Sequence, residues 1–234
     1  DSLEEAKKHW EEVDKSEAES ATAIQARVTI KGVDEDSFWQ RVEVTEADSD
    51  GNASDVYQQA TFRVRGFIGG PADLTTSQLA QLMQRIVDVE SPVHTDEIGR
   101  RCITILGQGR LVASLKQKVV SAAAQLQQQG LVVHRGDFVY TKEQSYFPVR
   151  NRRELDNANL RKVSYIAPEE LRAAVLTVIT EHIGTDEAET MSSVAKMLGV
   201  SNSQPFQNAV RSAIASLTQE HAIEERAGKL FVGG

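Results

Sequence analysis

One cysteine, Cys102, stands in 234 residues, which excludes an internal disulfide and fits a reducing compartment. No apolar run approaches the roughly 18 residues of a membrane-spanning helix, and no signal peptide is visible. The chain therefore reads as soluble and cytoplasmic, with no membrane partner. It begins at Asp1 without an initiator Met and reads as a fragment of something longer. Chemistry is equally sparse. There is no Gly-x-x-x-x-Gly-Lys-Ser/Thr phosphate loop, no His-Glu-x-x-His, no Gly-x-Ser-x-Gly and no Cys-x-x-Cys. Gly107-Gln108-Gly109 ends a helical pattern, whereas a phosphate-cradling loop follows a strand and opens a helix. His9, His94, His134, His182 and His221 show no ligand spacing, and His94 reads as a turn histidine. Cys102 lies on an apolar helix face, the setting of a buried structural thiol. No catalytic residue, metal or cofactor is expected of this chain.

A basic excess is missing too, but unevenly. The formal net charge is −8, and residues 1–60 hold 16 of the 34 acidic and 6 of the 26 basic residues. That leaves 20 basic against 18 acidic over residues 61–234. The acidic balance thus belongs to the N-terminal quarter, and the remainder is not barred from nucleic acid.

What is present is a stretch stated twice. Laying Leu115 on Phe206 pairs Val119 with Val210, Ser121 with Ser212, Ala122 with Ala213, Leu126 with Leu217 and Gln128 with Gln219, without a gap. In the first copy Val112, Leu115, Val119, Ala122 and Leu126 step by three and four, one stripe of a helix. Arg110, Gln117, Ser121 and Gln128 fall opposite. Gly130 suits a left-handed helix stop. Leu131–Val133 and Phe138–Tyr140 read as strands about a turn at Gly136-Asp137, and the second hairpin matches after one inserted residue.

Ahead of each long helix the pattern predicts two more. Leu79, Leu82, Met83, Ile86 and Val87 face one core, with Ser91-Pro92 ending that helix. Thr95 is placed to cap the next, with Asp96 and Glu97 in its first turn. Pro168 opens the later set, Thr185-Asp186-Glu187 echoes Thr95-Asp96-Glu97, Gly199 ends a helix and Pro205 starts the last. With 40% hydrophobic content, the chain can bury at least one core, and two small ones are expected. Upstream, Leu3, Ala6, Trp10 and Val13 suggest a short amphipathic helix. Arg27–Lys31, Trp39–Val44 and Thr61–Val64 alternate as strands around a polar loop at 46–55. The fold class expected is mostly α with small β wings (α+β): tandem winged helix-turn-helix repeats preceded by an acidic segment with a short helix and a few strands. The divisions are 1–70, 71–146, a basic bridging segment 147–166, and 167–234.

The order VESPVHTDEIGRR (Val89–Arg101), RGDFVY (Arg135–Tyr140), PVRNR (Pro148–Arg152) and SYIAPEEL (Ser164–Leu171) resembles an uncharacterised domain at the C-terminal end of large bacterial superfamily I DNA helicases. There the domain follows an ATPase core and a very-short-patch-repair-like endonuclease domain. The resemblance covers about Tyr57 to Val232, the first copy better than the second. It implies a parent that is an ATP-dependent DNA helicase with an endonuclease-like domain, and helicase and nuclease domains as partners. It implies no activity for this piece.

Two functions follow as expectations. In the first, the chain is a non-catalytic accessory module that positions DNA, since the third helix of a winged helix can enter the major groove while the wing touches phosphates. Its candidate DNA contacts are Arg110, Lys116, Gln117, Lys118 and Ser121 on the first long helix, Arg135 on the wing, and Arg150, Arg152, Arg153, Arg161 and Lys162 on the bridge. Asn208, Arg211 and Lys229 are weaker candidates, with Glu220, Glu224 and Glu225 beside them. In the second, the same units form a protein-protein or intramolecular docking module without direct DNA contact.

Overall fold

The computed structural model describes residues 42–44, 56–64, 71–107, 111–182 and 184–233. The helix expected near Leu3–Val13 and the strand at Arg27–Lys31 lie outside the described residues. Of the upstream strands, β1 (Val42–Val44) pairs antiparallel with β2 (Phe62–Val64).

The first helical set begins with α1 (Thr76–Glu90). Thr75 and Gln78 form a reciprocal capping box at its start, each side chain satisfying the other's backbone N–H. Leu79, Leu82, Met83, Ile86 and Val87 are fully buried, each contributing roughly 1.5–3 kcal/mol by burial. β3 (Val93–His94) leads into α2 (Thr95–Leu106). Its cap is His94 rather than Thr95: Nδ1 of His94 accepts the N–H of Asp96 at 3.0 Å. Burial holds the His94 pKa below its ordinary value, in keeping with an acceptor nitrogen. α2 ends at Gly107, and α3 (Ala113–Gln128) follows. Leu115, Val119, Ala122 and Leu126 of α3 are buried beside Ile98, Cys102 and Ile105 of α2. The hairpin β4 (Val132–Arg135) and β5 (Phe138–Thr141) completes the set, and β3 joins it in the order β3-β5-β4.

The second set has the same order of parts. α4 (Pro168–Glu181), α5 (Glu187–Leu198) and α6 (Gln204–Gln219) precede β6 (Ile223–Arg226) and β7 (Lys229–Val232). Its core is separate, built on Val175, Ile179, Val194, Leu198, Phe206 and Leu217. Asp186 caps α5 by accepting from the N–H of Glu189. The molecule is mostly helical with small antiparallel sheets.

α3 and α6 stop alike. The N–H of Leu131 returns to the carbonyl of Leu126 at 3.0 Å and that of Ala222 to Leu217 at 2.9 Å. The turn residues are left-handed at Gly130 (φ 68°) and His221 (φ 59°). Both hairpins close on two residues, between Arg135 and Phe138 and between Arg226 and Lys229. The inserted residue expected in the second hairpin is therefore absent, and Gly136 occupies the place of Ala227.

The hairpins differ in surroundings. Phe138 and Tyr140 form a small cluster with Ala167, against which Val133 and Phe147 pack. The first hairpin thus lies against the start of the second set. On the second hairpin Glu225, Arg226, Lys229 and Val232 are exposed. Both sets belong to one compact body.

Candidate functional site

On α3, Lys116, Gln117 and Ser121 share the exposed face, together with Val112 and Val120 at 44% and 41% exposure. Nζ of Lys116 donates to Oδ2 of Asp96 at 2.6 Å. Lys118 is half-buried and donates to the carbonyl of Leu74. The Ser121 hydroxyl donates to the carbonyl of Gln117 one turn back. Arg110 lies outside the described residues. Arg135 does not extend this face. Its guanidinium pairs with Glu169 at 3.6 Å and lies 5.5 Å from the Tyr140 ring, whose hydroxyl donates to the same carboxylate at 2.7 Å.

The sequence places the bridge arginines as candidate DNA contacts, beside Glu154 and Asp156; two of them turn inward to another acid. Arg152 is 0% and Arg150 6% exposed. Both guanidiniums fork onto Glu170 of α4. Arg152 donates at 2.8 and 2.7 Å, and Arg150 at 3.3 and 2.7 Å. Arg150 also reaches the carbonyls of Glu90 and Pro92, at 2.7 and 3.0 Å. As candidate DNA contacts these two are corrected: an interior guanidinium forked onto a buried carboxylate is not available to a phosphate. Burial alone would raise the Glu170 pKa, but the charges of Arg152 and Arg150 outweigh it and hold the carboxyl below its ordinary value.

The other bridge cations are nearer the surface. Arg153 is exposed. Arg161 donates to the carbonyl of Leu155, and Lys162 to Oδ1 of Asn159 at 2.7 Å. On the second set, Arg211 pairs with Glu187 at 2.8 Å and touches Asn208, and Lys229 is exposed.

A second group of buried charges adjoins the first. Arg101 donates to Glu90 at 2.6 and 3.2 Å and to Glu97 at 2.9 Å. Asn157 of the bridge donates to both oxygens of Glu97. Burial, more than any neighbouring charge, raises the Glu97 pKa. Between the groups sits Tyr57, 3% exposed. Its hydroxyl donates to Glu90 at 2.9 Å, and its ring lies 4.5 Å from the Arg150 guanidinium and 4.9 Å from that of Arg152. Burial, then the Glu90 charge, raises its pKa well above the ordinary value. Three carboxylates thus face three guanidiniums around one phenol, a seam joining the residues before α1, α1, α2, the bridge and α4.

Periodicity alone missed this seam, yet it left a signal. Glu90 continues the buried stripe of Ile86, Arg101 sits between Glu97 and Ile105 at steps of four, and Glu170 precedes Ala174 and Val178 in the same way. A charge on an apolar stripe requires a buried partner.

Among the described residues, no group of three His, Cys, Asp or Glu could hold a metal ion, and no helix is long and apolar enough to cross a membrane. An open cleft of roughly 630 Å³ lies beside Arg100, Arg101, Thr104, Leu111 and Asn157, with the Arg101 and Asn157 side chains already bonded to Glu97.

Residues 72–117, from just before α1 to the first turns of α3, match the model of a family described as a protein of unknown function (DUF3320). No curated protein matches the chain.

Proposed function

We propose that the chain is a non-catalytic docking and positioning module built from two winged-helix units. Each set is three helices followed by a two-stranded wing. The repeat reading is supported by the common helix stop at Gly130 and His221 and the common hairpin register. It is further supported by the pairing of β3 with β5 in one set and the single bridge Thr185 to Leu230 in the other.

One observation carries docking over direct DNA contact: four of the cations offered to DNA are engaged within the protein. Lys116 serves Asp96, Arg135 serves Glu169, and Arg150 and Arg152 serve Glu170. Beside the paired Lys116, what α3 leaves outward is amide, hydroxyl and valine. Such a face suits another protein surface better than a polyanion, whose affinity comes from cation–phosphate contacts. By the resemblance, the surfaces served are helicase and nuclease domains of the parent, in the cytoplasm, and this chain performs neither ATP hydrolysis nor DNA cleavage itself.

The competing reading, DNA positioning by direct contact, rests on the exposed cations Arg153, Lys162 and Lys229, which sit among Glu154, Asp156, Glu224 and Glu225. A salt series with duplex and single-stranded DNA separates the two. Docking expects no salt-dependent affinity at about 50 mM salt. Tight binding that weakens steeply with salt, and loses roughly one unit of slope per phosphate contact in a Lys116→Ala, Lys118→Ala, Arg135→Ala variant, would establish the DNA reading instead.

A further inference from the structure

The residues just before the helical body are seated in it by Tyr57, with Ala60 and Phe62 following it into the first core. Val56 is 51% exposed and Gln58 is exposed, whereas Tyr57 between them is 3% exposed. The N–H of Tyr57 donates to the carbonyl of Asn151 at 2.9 Å, where Val56 makes a parallel bridge to Asn151. The N–H of Ala60 donates to Oε1 of Glu90 at 2.9 Å, and the Tyr57 hydroxyl takes Oε2 of the same carboxylate. A short run of chain therefore enters from the surface, sets one ring against two guanidiniums, and continues into the first core at Ala60 and Phe62.

The groups under that ring hold both helical sets. Arg150 ties Glu170 of α4 to the carbonyls of Glu90 and Pro92. The neighbouring backbone caps α5, since the N–H of Arg152 donates to the carbonyl of Leu198 at 2.9 Å and the Asn151 amide to that of Met197 at 3.0 Å. We propose that Tyr57 is a latch: seated, it fixes the position of the α1–α3 set against the α4–α6 set, and displaced, it releases them. Removing Tyr57 takes a donor from Glu90 and uncovers one face of Arg150 and of Arg152. Water then enters a group of ionic hydrogen bonds whose strength depends on its exclusion. Displacement of the ring becomes a change in the spacing of the α3 and α6 surfaces. The inference goes beyond the docking reading, because it concerns the geometry between the sets and not what they bind.

The full chain tests it. Spin labels at Gln117→Cys and Ser212→Cys sit on exposed positions of α3 and α6, and the native Cys102 is buried. The expected result is one narrow distance with Tyr57 present and a broad or shifted distribution in Tyr57→Ala. Hydrogen exchange of the Arg152 amide should also rise roughly tenfold, the scale of one lost buried hydrogen bond. If Tyr57→Ala does not fold, Tyr57→Phe decides, since it keeps the ring and removes only the bond to Glu90. Tyr57→Phe should raise that exchange several-fold. A distance distribution unchanged in a folded Tyr57→Ala variant, or an Arg152 amide unmoved in Tyr57→Phe when Tyr57→Ala is unfolded, overturns the latch. Either result leaves the DNA salt series unaffected.

Discussion

Glu170→Gln puts the seam to a quantitative test. The carboxylate accepts two donors from Arg152 and two from the Arg150 guanidinium, and a fifth from the Arg150 backbone N–H at 3.0 Å. Both partners and Glu170 itself are buried. The amide keeps the volume, removes the charge and turns one acceptor into a donor facing guanidinium N–H groups. Breaking a buried pair from one side costs about 3–5 kcal/mol, because the remaining charge is left uncompensated; here two guanidiniums share the loss. With a urea dependence of about 2 kcal/mol per molar, the midpoint at neutral pH should fall by roughly 2 M. Glu169→Gln is the control. Its partner Arg135 is 64% exposed at 3.6 Å, so it should cost less than about 1 kcal/mol. Circular dichroism during urea unfolding reads both. A Glu170→Gln loss no larger than that of Glu169→Gln would show that the seam is not held as described. The pH dependence has a fixed sign. The Glu170 pKa is depressed, so its contribution is full above the ordinary value of 4.5 and is lost as pH falls through the folded value. Glu97, with a raised pKa, runs the other way: its cost above the folded value is recovered on acidification. Below pH 4.5 the stability of the parent should therefore fall more steeply than that of Glu170→Gln.

Two helix-ending glycines should respond differently to the same change. Gly107→Ala (φ 69°, nothing within 4 Å) should cost about 1 kcal/mol for the left-handed backbone alone. Gly199→Ala adds a Cβ 2.6 Å from the backbone nitrogen of Arg153 and should cost roughly 3 kcal/mol by thermal or urea unfolding, with equal losses counting against the packing. His221→Gly and Ala227→Gly, at φ 59° and 51°, should each stabilise by up to about 1 kcal/mol in the same assay. Burial raises the Cys102 thiol to about 12, so a thiol reagent at mildly alkaline pH should label the chain only after denaturant is added; rapid labelling of the folded chain would contradict its placement.

The helices and hairpins were legible because each rests on local periodicity and punctuation. The stripe from Leu79 to Val87, Pro168 at a helix start, and Gly130 and Gly199 at helix ends all fall where the pattern set them. What covers an element was not legible. Arg150 and Arg152 lie on an irregular segment, where no period separates an inward side chain from an outward one, so composition alone made the bridge look like a basic surface. The first wing misled for a related reason. Phe138 and Tyr140 alternate as any strand does, and only the packing of Ala167 against them shows that face of the hairpin engaged. Tyr57 carried no pattern, being one aromatic in a polar run.

The balance inside the seam bears on how such a chain can drift over generations. Glu90, Glu97 and Glu170 answer Arg101, Arg150 and Arg152 in equal number, and each acid serves more than one base or backbone group. A single neutralising change strands an ion, whereas an apolar replacement of a whole cluster can be tolerated. Inheritance at these six positions is therefore expected to be joint, with each altered codon accompanied by another far away in the sequence. The outward face of α3, which answers to no interior ion, is free to change one residue at a time and so to adopt new neighbours while the body beneath it stays the same.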